Sequence, residues 1–236
     1  VILYHTSQDN QFVKAERVNG TWERQILGND EGWFISTESC GEKAFALYRS
    51  RESETLRKAI IEDSGFTSEN LSYSTNAMPS VDSSGCKFRA GIFNSDNQEV
   101  VYLNGRKDES IGSGSFSTTS MEYMEEPVFS YYVQGRGLVY SQKTDEGWAQ
   151  DLVDEEAVNY AGRYNDLELT SSGSPVIAYT TSSTVKIAQK QSQNVQIIQK
   201  LFLLGLSIST LIAVFFGIRS DENYVSTCKN YIKSPE

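Results

Sequence analysis

The residues able to do acid–base, nucleophilic or metal chemistry are plentiful in this chain, but their spacing brings few of them together. There is one histidine, His5, and there are three cysteines, with no Cys-x-x-Cys pair and no Cys/His cluster. A tetrahedral metal site needs such ligands at short spacings, so neither a zinc centre nor a cofactor is expected. The 31 acidic residues could supply the paired carboxylates of a glycoside hydrolase. No spacing singles out a pair, and a solvated surface accounts for nearly all of them. Arg49, Arg89, Arg136 and Arg163 stand among many tyrosines and glutamates, yet nothing in the sequence assembles them. Trp22, Trp33 and Trp148 could form a platform that stacks on sugar rings. Trp22 and Trp148 occupy the same place in a repeat, which points instead to packing in a shared core.

That repeat sets the architecture. A short apolar segment ending in an aromatic reads VILY at Val1–Tyr4, FALY at Phe45–Tyr48, AGIF at Ala90–Phe93, FSYY at Phe129–Tyr132 and VIAY at Val176–Tyr179. A polar turn and a second β-rich segment follow each copy, starting at Val13, Leu56, Val100, Leu138 and Val185. The aromatic returns about every 45 residues, the length of a propeller blade. Two repeats carry a further strand, Trp22–Leu27 and Trp148–Val153, which align without a gap. Small polar runs such as Val81–Gly85 and Leu169–Gly173 lead into the next phrase, and Asp166–Thr170 alternates as a strand with one buried face does. The expected fold is all-β: a β-propeller with about five blades over residues 1–190. Tyr4, Tyr48, Phe93, Tyr132 and Tyr179 should hold equivalent positions. Five phrases meet only four connecting stretches, so the chain is expected to begin within a blade, and the five blades are either complete or part of a larger propeller.

A formal charge of −10 argues against nucleic acid, whose phosphates demand a basic surface. Cys40 and Cys86 stand eight and seven residues ahead of Tyr48 and Phe93. Equivalent positions in adjacent blades lie close, so the two either form a disulfide or sit as small buried thiols. Cys228 lies beyond the long apolar segment at Leu201–Ile218, expected to cross a membrane, so pairing with it is not expected.

After Lys190 the character changes. Residues 191–200 form a polar linker. Leu201–Ile218 then runs for eighteen residues without a charge. As a helix it would span roughly 27 Å, near the hydrocarbon thickness of a bilayer. Lys200 and Arg219 bracket it as interfacial anchors. Residues 201–218 are therefore expected to form a single transmembrane helix, with 219–236 as a short tail. Gly205, Ser209, Ala213 and Gly217 make a stripe of small residues at i+4 steps, on which another membrane helix could pack. Lysine and arginine counts on the two sides tie, so orientation rests on other grounds. A folded domain of this size suits the extracellular, periplasmic or lumenal side, and the sequons at Asn19 and Asn70 agree with export.

The stretch Pro127–Lys190 resembles the BNR/sialidase-like propeller repeats of surface proteins. Gly173-Ser-Pro175 with Tyr179 matches its Gly-x-Pro-x-x-x-Tyr phrase, and Gly147-Trp148 stands at its Gly-x-Trp turn one residue short. The resemblance implies a propeller rather than an activity. The sialidase Asp box, Ser-x-Asp-x-Gly-x-x-Trp, is degenerate here: in Ser141–Trp148 the Ser–Asp gap is too long and the Gly–Trp gap too short. Sialidase chemistry would also need an arginine cluster on the substrate carboxylate and a Tyr/Glu nucleophile pair. The first expectation is thus a non-catalytic, membrane-anchored propeller that serves as an interaction or scaffold subunit, with other membrane subunits and the lipid bilayer as partners. The alternative is a cell-surface lectin or adhesin that binds glycans, and after it a sialidase-type hydrolase.

Overall fold

The computed structural model describes residues 2–6, 11–28, 32–62, 65–105, 107–115, 119–155 and 162–190. They form five antiparallel sheets in chain order. Blade 1 holds β1 (Ile2–Thr6), β2 (Gln11–Val18) and β3 (Thr21–Gly28). Blade 2 holds β4 (Gly32–Cys40), β5 (Lys43–Ser50), β6 (Thr55–Glu62) and β7 (Gly65–Ser74). Blade 3 holds β8 (Ser80–Asp82), β9 (Arg89–Asn94), β10 (Glu99–Leu103) and β11 (Asp108–Ser113). Blade 4 holds β12 (Ser120–Tyr123), β13 (Pro127–Val133), β14 (Gly137–Thr144) and β15 (Gly147–Asp154). Blade 5 holds β16 (Asn165–Leu169), β17 (Pro175–Thr180) and β18 (Val185–Gln189).

Each sheet is a meander of hairpins, the product of period-2 apolar patterning broken by Gly- and Asn-rich turns. The first strands β4, β8, β12 and β16 lie side by side as the inner series. A bulge near the start of the third strand recurs at Phe12/Val13, Thr55/Arg57, Val100/Val101 and Leu138/Val139. It identifies β2 with β6, β10 and β14. The three strands of blade 1 therefore match the second, third and fourth of a full blade. Those of blade 5 match the first, second and third. The strands bearing Trp22 and Trp148 are the outermost of their blades.

The recurrent bulge also fixes the aromatic column, and here one expectation is corrected. Tyr4, Tyr48 and Tyr179 share their position with Tyr131 and Ile92, one residue before Tyr132 and Phe93. Phe93 and Tyr132 turn to the opposite face. A one-residue slip reverses the face of a strand, and blades 3 and 4 carry large apolar residues at both places, so the aromatic alone does not define the register.

The apolar interior is divided between blades. Phe12 and Leu3 pack with Tyr48, Ala59 and Ile61 between blades 1 and 2. Phe45, Leu47 and Leu56 meet Ile92, Val101 and Leu103 between blades 2 and 3. Val100 and Tyr102 meet Phe129, Tyr131 and Val139 between blades 3 and 4. Leu138 and Tyr140 meet Leu167, Ile177 and Tyr179 between blades 4 and 5.

Polar ties cross the same joints. Ser36 Oγ accepts the Val81 N–H at 3.1 Å. Ser80 Oγ accepts the Met121 N–H at 3.1 Å. Ser120 Oγ accepts the Leu167 N–H at 2.9 Å. The same register position thus clips each inner strand to the next. Between blades 4 and 5 the Asp154 carboxylate also accepts from Tyr179 at 2.7 Å and Lys186 at 3.1 Å.

Cys40, at the end of β4, and Cys86, in the 3-10 turn Ser84–Cys86, are joined with their Cα atoms 5.3 Å apart. Gly85 and Cys86 take φ values of 65° and 55°, a reversal that Gly85 accommodates without a Cβ penalty. Among the described residues no helix is long and apolar enough to cross a membrane. Residues 201–218, with Gly205, Ser209, Ala213 and Gly217, lie outside the described residues.

Two outcomes are expected. A non-reducing peptide map should recover the Cys40 and Cys86 peptides as one linked species, and Cys40→Ser should cost about 2–5 kcal/mol in denaturant unfolding. Ser120→Ala should cost about 1–3 kcal/mol, because it strands the buried Leu167 N–H. An unchanged unfolding midpoint would show that the clip contributes nothing.

Candidate functional site

Two places gather side chains beyond the needs of packing. One is the rim of blade 2, where β4 begins and β5 ends. Trp33 and Arg49 are cross-strand partners there. A bulge follows immediately, shifting the register between Trp33 and Ser36. Phe34 within it has φ 53°, an unusual conformation for a bulky residue and a form of strain that clusters at functional sites. Beside it, a Cβ at Gly32 would meet the Tyr48 ring at 3.0 Å, so a larger residue would push that ring by a few tenths of an ångström.

The bulge turns Trp33 outward, 43 % exposed. The Arg49 guanidinium lies 5.9 Å from its ring centroid and that of Arg51 5.5 Å. Glu54, in the turn after β5, approaches Arg49 at 3.7 Å. A partly exposed indole, two planar guanidinium forks over its ring and a carboxylate are thus held together at the rim. An aromatic face packs on the apolar side of a ring, guanidinium groups donate, and a carboxylate accepts. Together they can bind a polyhydroxylated ring.

The other place is the inner edge of the sheets. Glu38, Asp82, Glu122 and Glu168 pair with Phe45, Arg89, Val128 and Val176, equivalent positions of four blades. They form one acidic column along β4, β8, β12 and β16. Asp82 is held by Arg89 at 3.5 Å, and the Arg89 guanidinium stacks 3.6 Å from the Tyr123 ring centroid. Partial burial, then the neighbouring charges of Glu168, Asp82, Glu38 and Asp166, push Glu122 up to about 7. Among the described residues no group of His, Cys, Asp and Glu could hold a metal ion.

The four arginines named from the sequence do not converge. Arg49 belongs to the Trp33 rim and Arg89 to the Asp82 pair. Arg136 donates to Gln150 in blade 4 at 3.3 Å, and Arg163 lies beside Tyr164. The three tryptophans also part company. Trp148 packs edge-on against Tyr102 and Phe129, at 5.8 and 5.3 Å. Trp22, its equivalent, is 51 % exposed on blade 1. Trp33 belongs to neither column. Asn19 lies exposed in the turn between β2 and β3, and Asn70 is exposed on β7. Sequence reasoning missed the acidic column, although its members recur at the spacing of the repeat itself.

No family model matches the sequence, and no curated protein matches it. Solved structures do share the fold. SapL1 lectin, in complex with alpha methyl fucoside, aligns with a TM-score of 0.54 at 12 % identity, over 78 % of this chain and 70 % of that one. AofleA from Arthrobotrys oligospora aligns at 0.52 and 9 % identity, over 80 % of this chain and 64 % of that one. A sialidase from Trypanosoma rangeli reaches 0.47 at 14 % identity, over 79 % of this chain and 43 % of that one. That last likeness is too loose to bear on fold or chemistry. The chain has the lectin-like β-propeller fold.

The different settings of the tryptophans are separable by mutation. Trp148→Ala should cost about 1–3 kcal/mol, because it removes a half-buried ring packed on Tyr102 and Phe129. Trp33→Ala should stay within roughly 0.5 kcal/mol of the parent, as a surface change does. Chemical denaturation of both variants checks the contrast, and equal losses would place Trp33 in the core.

Proposed function

We propose that this chain is a glycan-binding propeller, a lectin whose binding surface is the blade 2 rim around Trp33. The observation that carries the reading is the exposed indole flanked by Arg49, Arg51 and Glu54. A strained bulge holds the ring outward. Trp33 would stack on the apolar face of a sugar ring, the arginines would donate to ring hydroxyls, and Glu54 would accept from one. The fold shared with fucoside-binding SapL1 supports this reading.

The scaffold role expected first from the sequence draws no support from the fold or its neighbours, so the glycan-binding alternative is preferred. A hydrolase is disfavoured, because the four arginines named from the sequence are held by different local partners. The apolar segment Leu201–Ile218 would tether the propeller to a membrane with the rim outside. Its Gly205, Ser209, Ala213 and Gly217 stripe would pack against another helix.

Glycan-array binding of the full chain should show retained saccharides, without turnover of a fluorogenic sialoside. Trp33→Ala should weaken the best ligand at least tenfold, about 1.4 kcal/mol, while the fold survives. Arg49→Ala should do the same. An array blank at high protein concentration, or binding unaffected by both substitutions, would sink the proposal.

A further inference from the structure

The acidic column is unusual because its members repeat. Glu38, Asp82, Glu122 and Glu168 are spaced like the blades and project from adjacent inner strands. Asp166, two residues before Glu168, adds a further carboxylate and accepts from Ser120 Oγ at 3.2 Å. Repeat-equivalent polar positions normally serve the joint between blades. These positions set like charges along the same joint that the serine clips hold closed.

The surroundings offer little neutralisation. β12, which carries Glu122, lies against β8, β9, β13 and β16. Among the described residues, the titratable and charged groups these elements bring to it are Asp82 from β8, Arg89 from β9, and Asp166 and Glu168 from β16. β13 has no charged residue. Beyond β8, the inner strand β4 adds Glu38. Tyr123, next to Glu122, stacks with the Arg89 guanidinium. Arg89 is the one cation of the group, and Asp82 holds it.

We propose that the inner acidic column is a proton-operated clamp, which tightens the joints between blades 2 to 5 when the carboxylate at its centre, Glu122, takes up a proton. At pH 8 the charges repel across β4, β8, β12 and β16 and oppose the serine clips. On acidification Glu122 becomes neutral, the repulsion around it falls, and the inner strands close. Its folded-state value of about 7 lies above the ordinary 4.5. The folded chain therefore binds the proton more tightly than the unfolded one. The associated stability is full below about pH 4.5 and is lost as the pH rises through about 7.

The test is thermal unfolding of the full chain between pH 5 and pH 8, with amide hydrogen exchange at Val81, Met121 and Leu167. The parent should gain stability towards pH 5, and these three clipped amides should gain protection. Glu122→Gln should raise the Tm at pH 8 by roughly 2–4 °C and flatten the pH dependence. Glu168→Gln, which removes the like charge acting most strongly on Glu122 and keeps Glu122, should move the midpoint of the transition to lower pH. This second variant keeps the test decisive if Glu122→Gln fails to fold. A pH dependence unaltered in Glu122→Gln, an unmoved midpoint in Glu168→Gln, or clipped amides whose protection ignores pH would each overturn the clamp.

Discussion

The fold depends on how an inner strand, which has a sheet neighbour on one side only, satisfies its free edge. An unpaired strand edge leaves N–H groups that must find an acceptor once other blades cover it. In this chain the acceptor is a serine hydroxyl from the preceding blade: Ser36 for Val81, Ser80 for Met121 and Ser120 for Leu167. A serine suits the task because its oxygen can accept while its own proton rotates elsewhere. Each clip fixes the height of one blade against the next. Once the heights are fixed, the tyrosine column, the apolar joints and the acidic column all fall into line around the inner edge.

The stabilisation is therefore nearest-neighbour in kind. Four separate apolar clusters, each shared by two blades, replace a single central core. A blade that lacks a neighbour shows it at once. On blade 1, Ile2, Tyr4, Val13 and Trp22 hold the register positions of Phe129, Tyr131, Val139 and Trp148 on blade 4. In blade 4 that face is covered by blade 3, and Phe129 is fully buried. In blade 1 it faces no described blade, and Ile2 and Trp22 are each about half exposed. Equivalent register positions thus differ in exposure at Ile2 and Phe129, while Val13 and Val139 are both buried, so the neighbouring blade sets part of the burial.

Much of this was legible in the sequence. The recurrence of an apolar segment ending in an aromatic announced a β-propeller, since the spacing matches four short strands and their turns. The register within the blade was not legible. At Ile92-Phe93 and Tyr131-Tyr132 two large apolar residues adjoin, and either could head the column. Only the bulge in the third strand decides between them, and a bulge leaves no composition signal. The acidic column was present in the sequence at the repeat spacing, but it was hidden among many other acidic residues. The serine ladder was hidden in the same way by abundant serines. The setting of Trp33 could not be read because, among the described residues, no other first strand carries its bulge.

That last failure bears on function. Positions that obey the repeat serve the joints between blades, and every blade needs them. The serines and the column of Tyr4, Tyr48, Ile92, Tyr131 and Tyr179 belong to this class. A recognition surface needs the opposite property, because it must present side chains that packing does not consume. In blade 2 an extra residue in β4 breaks the register, places Phe34 at φ 53° and frees Trp33 from the core. The strain is sustained by the packed strands on either side, where Tyr48 and Leu47 are buried. A rigid joint below and an irregular rim above is the division that lets a repeat scaffold carry a specific site.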